Sequence, residues 1–180
     1  MNLTTKINVL CPFLQFPLDR ALVRSVHSRQ PSFIRVINLC PGDVDLIWID
    51  FEGRYVKYAK LQEKAFVDVN TFETHPWIAV CSERKDKLLL NNKFIYKPNY
   101  WRFLTPYFQY EATILMQLMR CRIPVNITLP VYSLRYRALL EVRSYLKTVD
   151  DVDNLELPAN LADALRHLMS ERTCLIENNL

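Results

Sequence analysis

Glycine is scarce in this 180-residue chain, which contains only Gly42 and Gly53. A P-loop and a dinucleotide-binding fingerprint each need two or three glycines within a few residues. The sequence therefore excludes both kinds of nucleotide site. The CxxC, HExxH and GxSxG motifs are also missing, which removes the commonest signatures of redox, zinc-protease and serine-hydrolase sites.

Histidine is nearly as scarce, and the three histidines are widely separated along the chain, at His27, His75 and His167. None has a partner at metal-ligand spacing. Glu73 and His75 lie at i and i+2, so they would share one face of a strand and could act as an acid and a base. One such pair is expected by chance in most chains. The sequence therefore favours a protein that is not an enzyme and that needs no cofactor or metal.

A charge excess of one sign is missing as well. The 23 basic and 19 acidic residues give a net charge of +4 and are interleaved, as in ERKDK at Glu83–Lys87. Without a basic stripe, nucleic acid is not predicted as a partner. No apolar run approaches the 18 residues of a membrane span. The five cysteines are odd in number and widely spaced, which is typical of reduced thiols in an intracellular protein.

Half of the residues are hydrophobic, enough for a packed core, and their pattern divides the chain in two. From Phe33 to Tyr96, short β-branched and aromatic runs alternate with turn residues. FIRVINL alternates at period two with apolar residues on both faces, which predicts a strand inside a sandwich. The other predicted strands are LIWIDF, RYVKY, KAFVDV, PWIAVC, KLLL and FIY. The spacing predicts an antiparallel β-sandwich.

Helical patterns dominate after Pro98. An amphipathic helix is predicted from Pro106 to Cys121, and VNITL between two prolines is predicted to be a short linking strand. Ser133 is a good N-cap for a second helix. A last helix is predicted to start near Pro158, with Leu161, Leu165, Leu168 and Met169 on one face. The fold class is therefore α+β, a sandwich followed by a small helical domain.

Four stretches carry a resemblance to a known family. They are RSVHSRQPS, WIDFEGRYVKY, NTFETHPW and NITLPVYSLRYRALLEVRSYLK. In sequence and mutual spacing they are similar to segments of the von Hippel–Lindau tumour suppressor family, whose members are substrate receptors of cullin–RING ubiquitin ligases. The resemblance covers roughly residues 24–98 and 125–172.

The residue patterns and the resemblance together predict six parts, of which residues 1–23 and the insertion at 99–124 lie outside the resemblance. The six parts are an N-terminal extension (1–23), a β-sandwich that binds substrate (24–98), a partly helical connector (99–124), a linker strand (125–132), an α-domain (133–172) and a tail (173–180).

The resemblance also implies a binding pocket in the β-domain. The family binds the hypoxia-inducible factor α subunit after a proline of that subunit has been hydroxylated. The matching positions are Trp48, Tyr58, Thr71, His75 and Trp77. Aromatic faces suit a proline ring, and Thr71 and His75 are expected to hold the hydroxyl. The family usually has serine in place of Thr71. From the residues alone, the aromatics also fit an ordinary sandwich core.

The first α-domain helix is implied to bind elongin C, which with elongin B joins the receptor to a cullin and a RING protein. The motif positions here are Leu134, Ala138 and Val142, which follow Ser133 at helical spacing. Ala138 replaces the family's cysteine. Arg143 falls where the family has an arginine that braces the two domains. From the residues alone, the same stripe fits packing within the chain.

We therefore expect a non-catalytic receptor in the cytoplasm and nucleus. It would direct the hydroxylated hypoxia-inducible factor α subunit to ubiquitination and degradation. The alternative is a cytoskeletal or matrix-associated scaffold with the same fold, for which hydroxyproline would not matter.

Overall fold

The structure, a computed structural model, describes residues 23–99 and 122–177. These residues form two compact units. The β unit comprises residues 23–99, 122–131 and 170–177, and the helical unit comprises residues 132–169. The N-terminal extension and the helix predicted for Pro106–Cys121 lie outside the described residues. The described cysteines, Cys40, Cys81 and Cys174, are free thiols.

Seven strands lie within the described part of the β unit. They are β1 (Pro31–Asn38), β2 (Val44–Ile49), β3 (Tyr55–Leu61), β4 (Phe66–Phe72), β5 (Trp77–Cys81), β6 (Lys87–Leu90) and β7 (Ile123–Thr128). Hydrogen bonds join them in the order β3-β2-β5-β6-β7-β1-β4. Only the β1–β7 pair among these is parallel. The predicted FIY strand is reduced to an isolated bridge between Tyr96 and Trp77.

The α+β class is confirmed. The sandwich, which would have two sheets, remains a prediction, because strand pairing links all seven described strands in one sheet. The strand predicted from FIRVINL is confirmed as part of β1, and its two faces differ in burial. Ile34, Val36 and Asn38 are fully buried on one face, but the other face is partly exposed. On that outer face Arg35 forms a two-pronged ion pair with Asp68 of β4.

The strand predicted for VNITL is confirmed. It forms most of β7, which pairs with β1 on one side and β6 on the other. Val125 and Ile127 are fully buried in the main core of the β unit. The strand therefore pairs within the β unit, and the domain boundary at residue 125 stays a prediction.

Three helices are described after β7. They are α1 (Leu134–Tyr145), a 3-10 helix (Asp150–Leu155) and α2 (Ala159–Glu177). Ser133 is the N-cap of α1, as predicted, because its Oγ accepts a hydrogen bond from the Tyr136 backbone N–H at 3.2 Å. None of these helices combines the length and the apolar character that crossing a membrane requires.

The core of the helical unit is small. Its buried residues are Leu139, Leu140, Val152, Ala162, Leu165, Leu168 and Met169. Leu165, Leu168 and Met169 of the predicted face of α2 are therefore buried, while Leu161 is only partly buried.

The predicted tail from residue 173 is helical as far as Glu177. Leu175 is buried in a second core cluster of the β unit with Ile47, Ile49, Ile78 and Val80. Lys87 of β6 and Glu171 add an ion pair at 2.6 Å in the same unit. The α2 helix thus runs into the predicted tail as far as Glu177, and burial of Leu175 helps to hold this end of the helix.

A fully buried carboxylate, Asp45, lies on β2. Lys57 Nζ and Lys85 Nζ lie 2.9 and 2.7 Å from its two oxygens, and Ser82 Oγ donates a hydrogen bond at 2.7 Å. Burial alone would raise the pKa of Asp45. The hydrogen bonds from Lys85, Lys57 and Ser82 outweigh burial and hold the pKa below its usual value.

We predict that Asp45→Ala lowers the free energy of unfolding by about 3 kcal/mol, because it leaves the largely buried Lys85 ammonium without its partner. Since the folded-state pKa of Asp45 is lowered, its contribution is present above the unfolded-state pKa, about 3.9. That contribution is lost as the pH falls through the folded-state pKa. Urea unfolding over a pH series measures both effects.

Glu63→Ala is the control, because Glu63 pairs with Lys64 at the surface. Its cost should stay below about 1 kcal/mol. Equal losses for the two variants would show that the buried cluster has no special stabilising role.

Candidate functional site

The two tryptophans of the predicted pocket are cross-strand neighbours. Trp48 of β2 pairs directly with Trp77 of β5. Thr71 lies near the end of β4, and His75 lies in the turn that follows, where its backbone N–H donates to the Phe72 carbonyl at 3.0 Å. Sheet pairing and one tight turn therefore position four of the five predicted pocket residues.

Tyr58, the fifth residue, is placed by a β-bulge. Leu46 of β2 pairs with Ala59, while the next residue, Ile47, pairs with Lys57. Tyr58 is thus the extra residue of β3, and a bulge bends its strand and redirects the side chain. The Tyr58 ring meets the Trp77 ring edge to face, with centroids 5.2 Å apart and an interplanar angle of 86°. Tyr58 remains 49% exposed, so the ring also presents a surface to a ligand.

Trp77 and Thr71 are joined by a directional hydrogen bond. The Trp77 indole Nε1–H donates to Thr71 Oγ1 at 3.0 Å, and both residues are 3% exposed. An indole nitrogen can only donate, so the hydroxyl of Thr71 is the acceptor. The hydroxyl keeps its own proton for a further acceptor.

The His75 imidazole is packed among aromatic rings. The centroids of Trp48, Phe51 and Phe72 lie 5.3, 5.4 and 5.1 Å from that of His75. Burial lowers the pKa of His75, and nearby His27 lowers it further. The ring is therefore neutral at pH 7, with one nitrogen that donates and one that accepts. Ser28 Oγ lies 3.3 Å from His75 Nε2.

The residue patterns missed the serines that support this cluster. Ser25 Oγ accepts the Trp48 Nε1–H at 2.8 Å and donates to the Ile49 carbonyl at 2.7 Å. Ser25 and Ser28 both precede β1, in the segment RSVHSRQPS. That segment was singled out by its resemblance alone, and no local pattern shows which of its hydroxyls turn toward the rings.

These groups can bind one small polar group beside an apolar ring. Thr71 offers a proton, neutral His75 offers a second hydrogen-bonding position, and the aromatic rings offer apolar surface. The geometry gives Glu73 no hydrogen bond to His75, so the imagined acid–base pair is not formed. Within residues 23–99 and 122–177, no group of three His, Cys, Asp or Glu residues could hold a metal ion.

The second predicted site lies on α1 of the helical unit. Leu134, Ala138 and Val142 are all exposed, and Leu134 is 88% exposed. The buried residues of the same helix are Leu139, Leu140 and Arg143. The stripe therefore lies on the outer side of the helix, and packing within the unit does not account for it. Arg143 is buried, while its role as an interdomain brace remains a prediction.

A comparison with protein families identifies the β unit. Residues 23–102 match the family described as VHL beta domain. This match spans less than half of the chain and supports a relationship to the VHL family. All five predicted pocket residues, together with Ser25 and Ser28, lie within the matched range. The relationship thus rests on this region, whereas α1 with its exposed stripe lies outside the match.

The lowered pKa of His75 predicts that the β unit is sensitive to acid. As the pH falls below about 6.5, the ordinary histidine pKa, the unfolded chain takes up a proton that folded His75 resists. The free energy of unfolding should therefore fall with pH in this range. Denaturant unfolding from pH 7 to pH 5 measures the slope, and an NMR titration measures the pKa itself.

His75→Gln is the comparison variant, since glutamine is polar but does not titrate. Its unfolding free energy should depend less on pH over the same range, whatever its absolute value. An NMR pKa at or above the ordinary histidine value would contradict the prediction.

Proposed function

We propose that this chain is the substrate-recognition subunit of an elongin B/C–cullin–RING ubiquitin ligase. In this role it binds the prolyl-hydroxylated hypoxia-inducible factor α subunit and directs it to ubiquitination and degradation. The observation that carries the proposal is the pairing of Thr71 and His75 with aromatic rings inside the region that matches the VHL beta domain. The receptor itself is non-catalytic, and the proposal implies that it acts in the cytoplasm and nucleus.

The ligand chemistry follows from the two kinds of surface at the site. A proline ring is apolar and conformationally fixed, so Trp48, Tyr58 and Trp77 can pack against it at little cost in entropy. The 4-hydroxyl is the only polar group of the ring and would meet Thr71 and His75. The aromatic rings therefore supply most of the affinity, and the two polar residues supply the discrimination.

Peptides that differ only in proline or 4-hydroxyproline should differ in affinity by about a hundredfold or more. An unmodified proline would displace water from Thr71 and His75 without offering either group a new hydrogen bond. Each unpaired group costs about 1–3 kcal/mol of binding free energy. A total of roughly 3 kcal/mol corresponds to about a hundredfold at 1.4 kcal/mol per tenfold change. Isothermal calorimetry on the matched peptide pair measures the ratio.

Two variants separate the roles of the site residues. His75→Ala should shrink the preference for the hydroxylated peptide, whereas Trp77→Ala should weaken the binding of both peptides. Circular dichroism checks that each variant is folded. A wild-type preference below about threefold, under 0.7 kcal/mol, would favour the scaffold with the same fold instead.

The exposed stripe on α1 supports elongin C as the second partner. Leu134 leaves 88% of its surface in water, and covering a leucine contributes about 1.5–3 kcal/mol. The helical unit has only a small core of its own, so a partner would add to its stability. Ala138 in place of cysteine keeps this part of the helix narrow and allows a close approach.

Leu134→Ala should weaken capture of the elongin B/C complex by about 2 kcal/mol or more, as expected for a buried anchor. Ala138→Asp should also weaken capture, because it would bury a charge without a partner. Surface plasmon resonance with the purified elongin B/C complex provides the measurement.

Leu39→Ala is the matched control, because Leu39 is an exposed leucine of the β unit. It should leave elongin capture unchanged, and all three variants should retain the preference for hydroxyproline. If Leu134→Ala bound the elongins as tightly as the wild-type chain, the proposed interface would be wrong.

A further inference from the structure

We infer that Ser28 is a positioning residue that fixes His75 as the acceptor of the ligand hydroxyl's proton. In this arrangement Ser28 Oγ accepts the His75 Nε2–H, and His75 Nδ1 carries the lone pair that faces the ligand. The inference deepens the proposed function and rests on it. It adds a requirement that the ligand oxygen must both accept and donate a hydrogen bond.

The direction of the hydrogen bonds is set at Trp77. Its indole N–H can only donate, so Thr71 Oγ1 accepts and must direct its own proton elsewhere. A ligand hydroxyl beside Thr71 would accept that proton. The ligand's own proton then needs an acceptor, and His75 is the second polar group of the site. His75 must therefore present a nitrogen without a proton.

The contacts of the His75 ring decide which of its nitrogens accepts a hydrogen bond from the ligand. A neutral imidazole has one protonated and one unprotonated nitrogen. Ser28 Oγ lies 3.3 Å from Nε2, and no other hydrogen bond joins the ring to a residue in the described ranges. Trp48, Phe51 and Phe72 surround the ring with apolar surface. Nδ1 is thus the nitrogen left for the ligand, and Nε2–H donates to Ser28.

The backbone of His27, the residue before Ser28, is held in place by the side chain of Thr74. Thr74 Oγ1 accepts a hydrogen bond from the His27 backbone N–H at 3.1 Å and donates one to the His27 carbonyl at 2.7 Å. This clamp fixes the residue directly before Ser28 relative to the turn that carries His75. Ser28 itself is exposed, so its own hydroxyl proton can go to water.

The inference is tested on the full-length chain by two measurements. Nitrogen-15 NMR of the His75 ring identifies the tautomer in the free protein, and calorimetry gives the ratio of affinities for the matched hydroxyproline and proline peptides. The variants are Ser28→Ala, which removes the acceptor, and Ser28→Thr, which keeps it. Gln30→Ala, at an exposed neighbouring position, is the control for disturbance of the segment.

The wild-type ring should be the Nε2–H tautomer. Ser28→Ala should give a mixture of tautomers and reduce the preference for hydroxyproline by a factor of roughly 3 to 10, the range for one neutral hydrogen bond. Ser28→Thr and Gln30→Ala should retain both the tautomer and the preference. A peptide with 4-oxoproline, whose oxygen can accept from Thr71 but cannot donate to His75, should bind more weakly than the hydroxyproline peptide, with an affinity between those of the hydroxyproline and proline peptides.

The outcomes separate this inference from the proposed function. If wild-type protein prefers hydroxyproline but Ser28→Ala keeps the same tautomer and preference, the role of Ser28 is wrong and the receptor function stands. Binding of the 4-oxoproline peptide as tight as that of the hydroxyproline peptide would likewise overturn the inference alone. If wild-type protein shows no preference between the hydroxyproline and proline peptides, the proposed function fails and the inference fails with it.

Discussion

The cross-strand pair of Trp48 and Trp77 is the constraint on which the candidate site depends. Two large rings lie side by side on β2 and β5, and each carries an N–H that would be costly to bury without a partner. Trp48 donates to Ser25, which precedes β1, and Trp77 donates to Thr71 of β4. Satisfying two indole groups therefore ties two other segments of the β unit to the same place.

These two indole hydrogen bonds explain why the polar and aromatic parts of the site lie together. Thr71 is held by Trp77 on one side, while the turn after β4 carries His75 against the ring of Trp48. Threonine in place of serine fits this arrangement. A β-branched side chain has a restricted χ1 angle, so a hydroxyl already held by the indole loses little further freedom when a ligand binds.

The sequence predicts the strands of this domain well and their burial less well. KLLL has the predicted bounds of β6, because a short apolar run between turn residues has few alternatives. VNITL is correctly predicted to be a strand, part of β7, but its place in the sheet is not predicted. Its partners β1 and β6 are distant in sequence, and no local pattern encodes parallel pairing with β1. The bulge at Tyr58 is equally hidden, since it arises from the register between β2 and β3 and has no glycine to mark it.

The exposed stripe on α1 shows that periodicity alone does not decide which face of a helix is buried in its own unit. Leu134, Ala138 and Val142 have the spacing of a buried face. Leu139 and Arg143, which are buried, have the same spacing of four residues. A helix with apolar residues on much of its circumference can bury only one side in a two-layer unit. The choice of Leu139 and Leu140 for the core follows from the positions of Val152, Leu165 and Leu168 in the small helical core. Packing of this core therefore leaves the face with Leu134 exposed to water. A partner that covers this face would stabilise the unit and would not displace residues of its core.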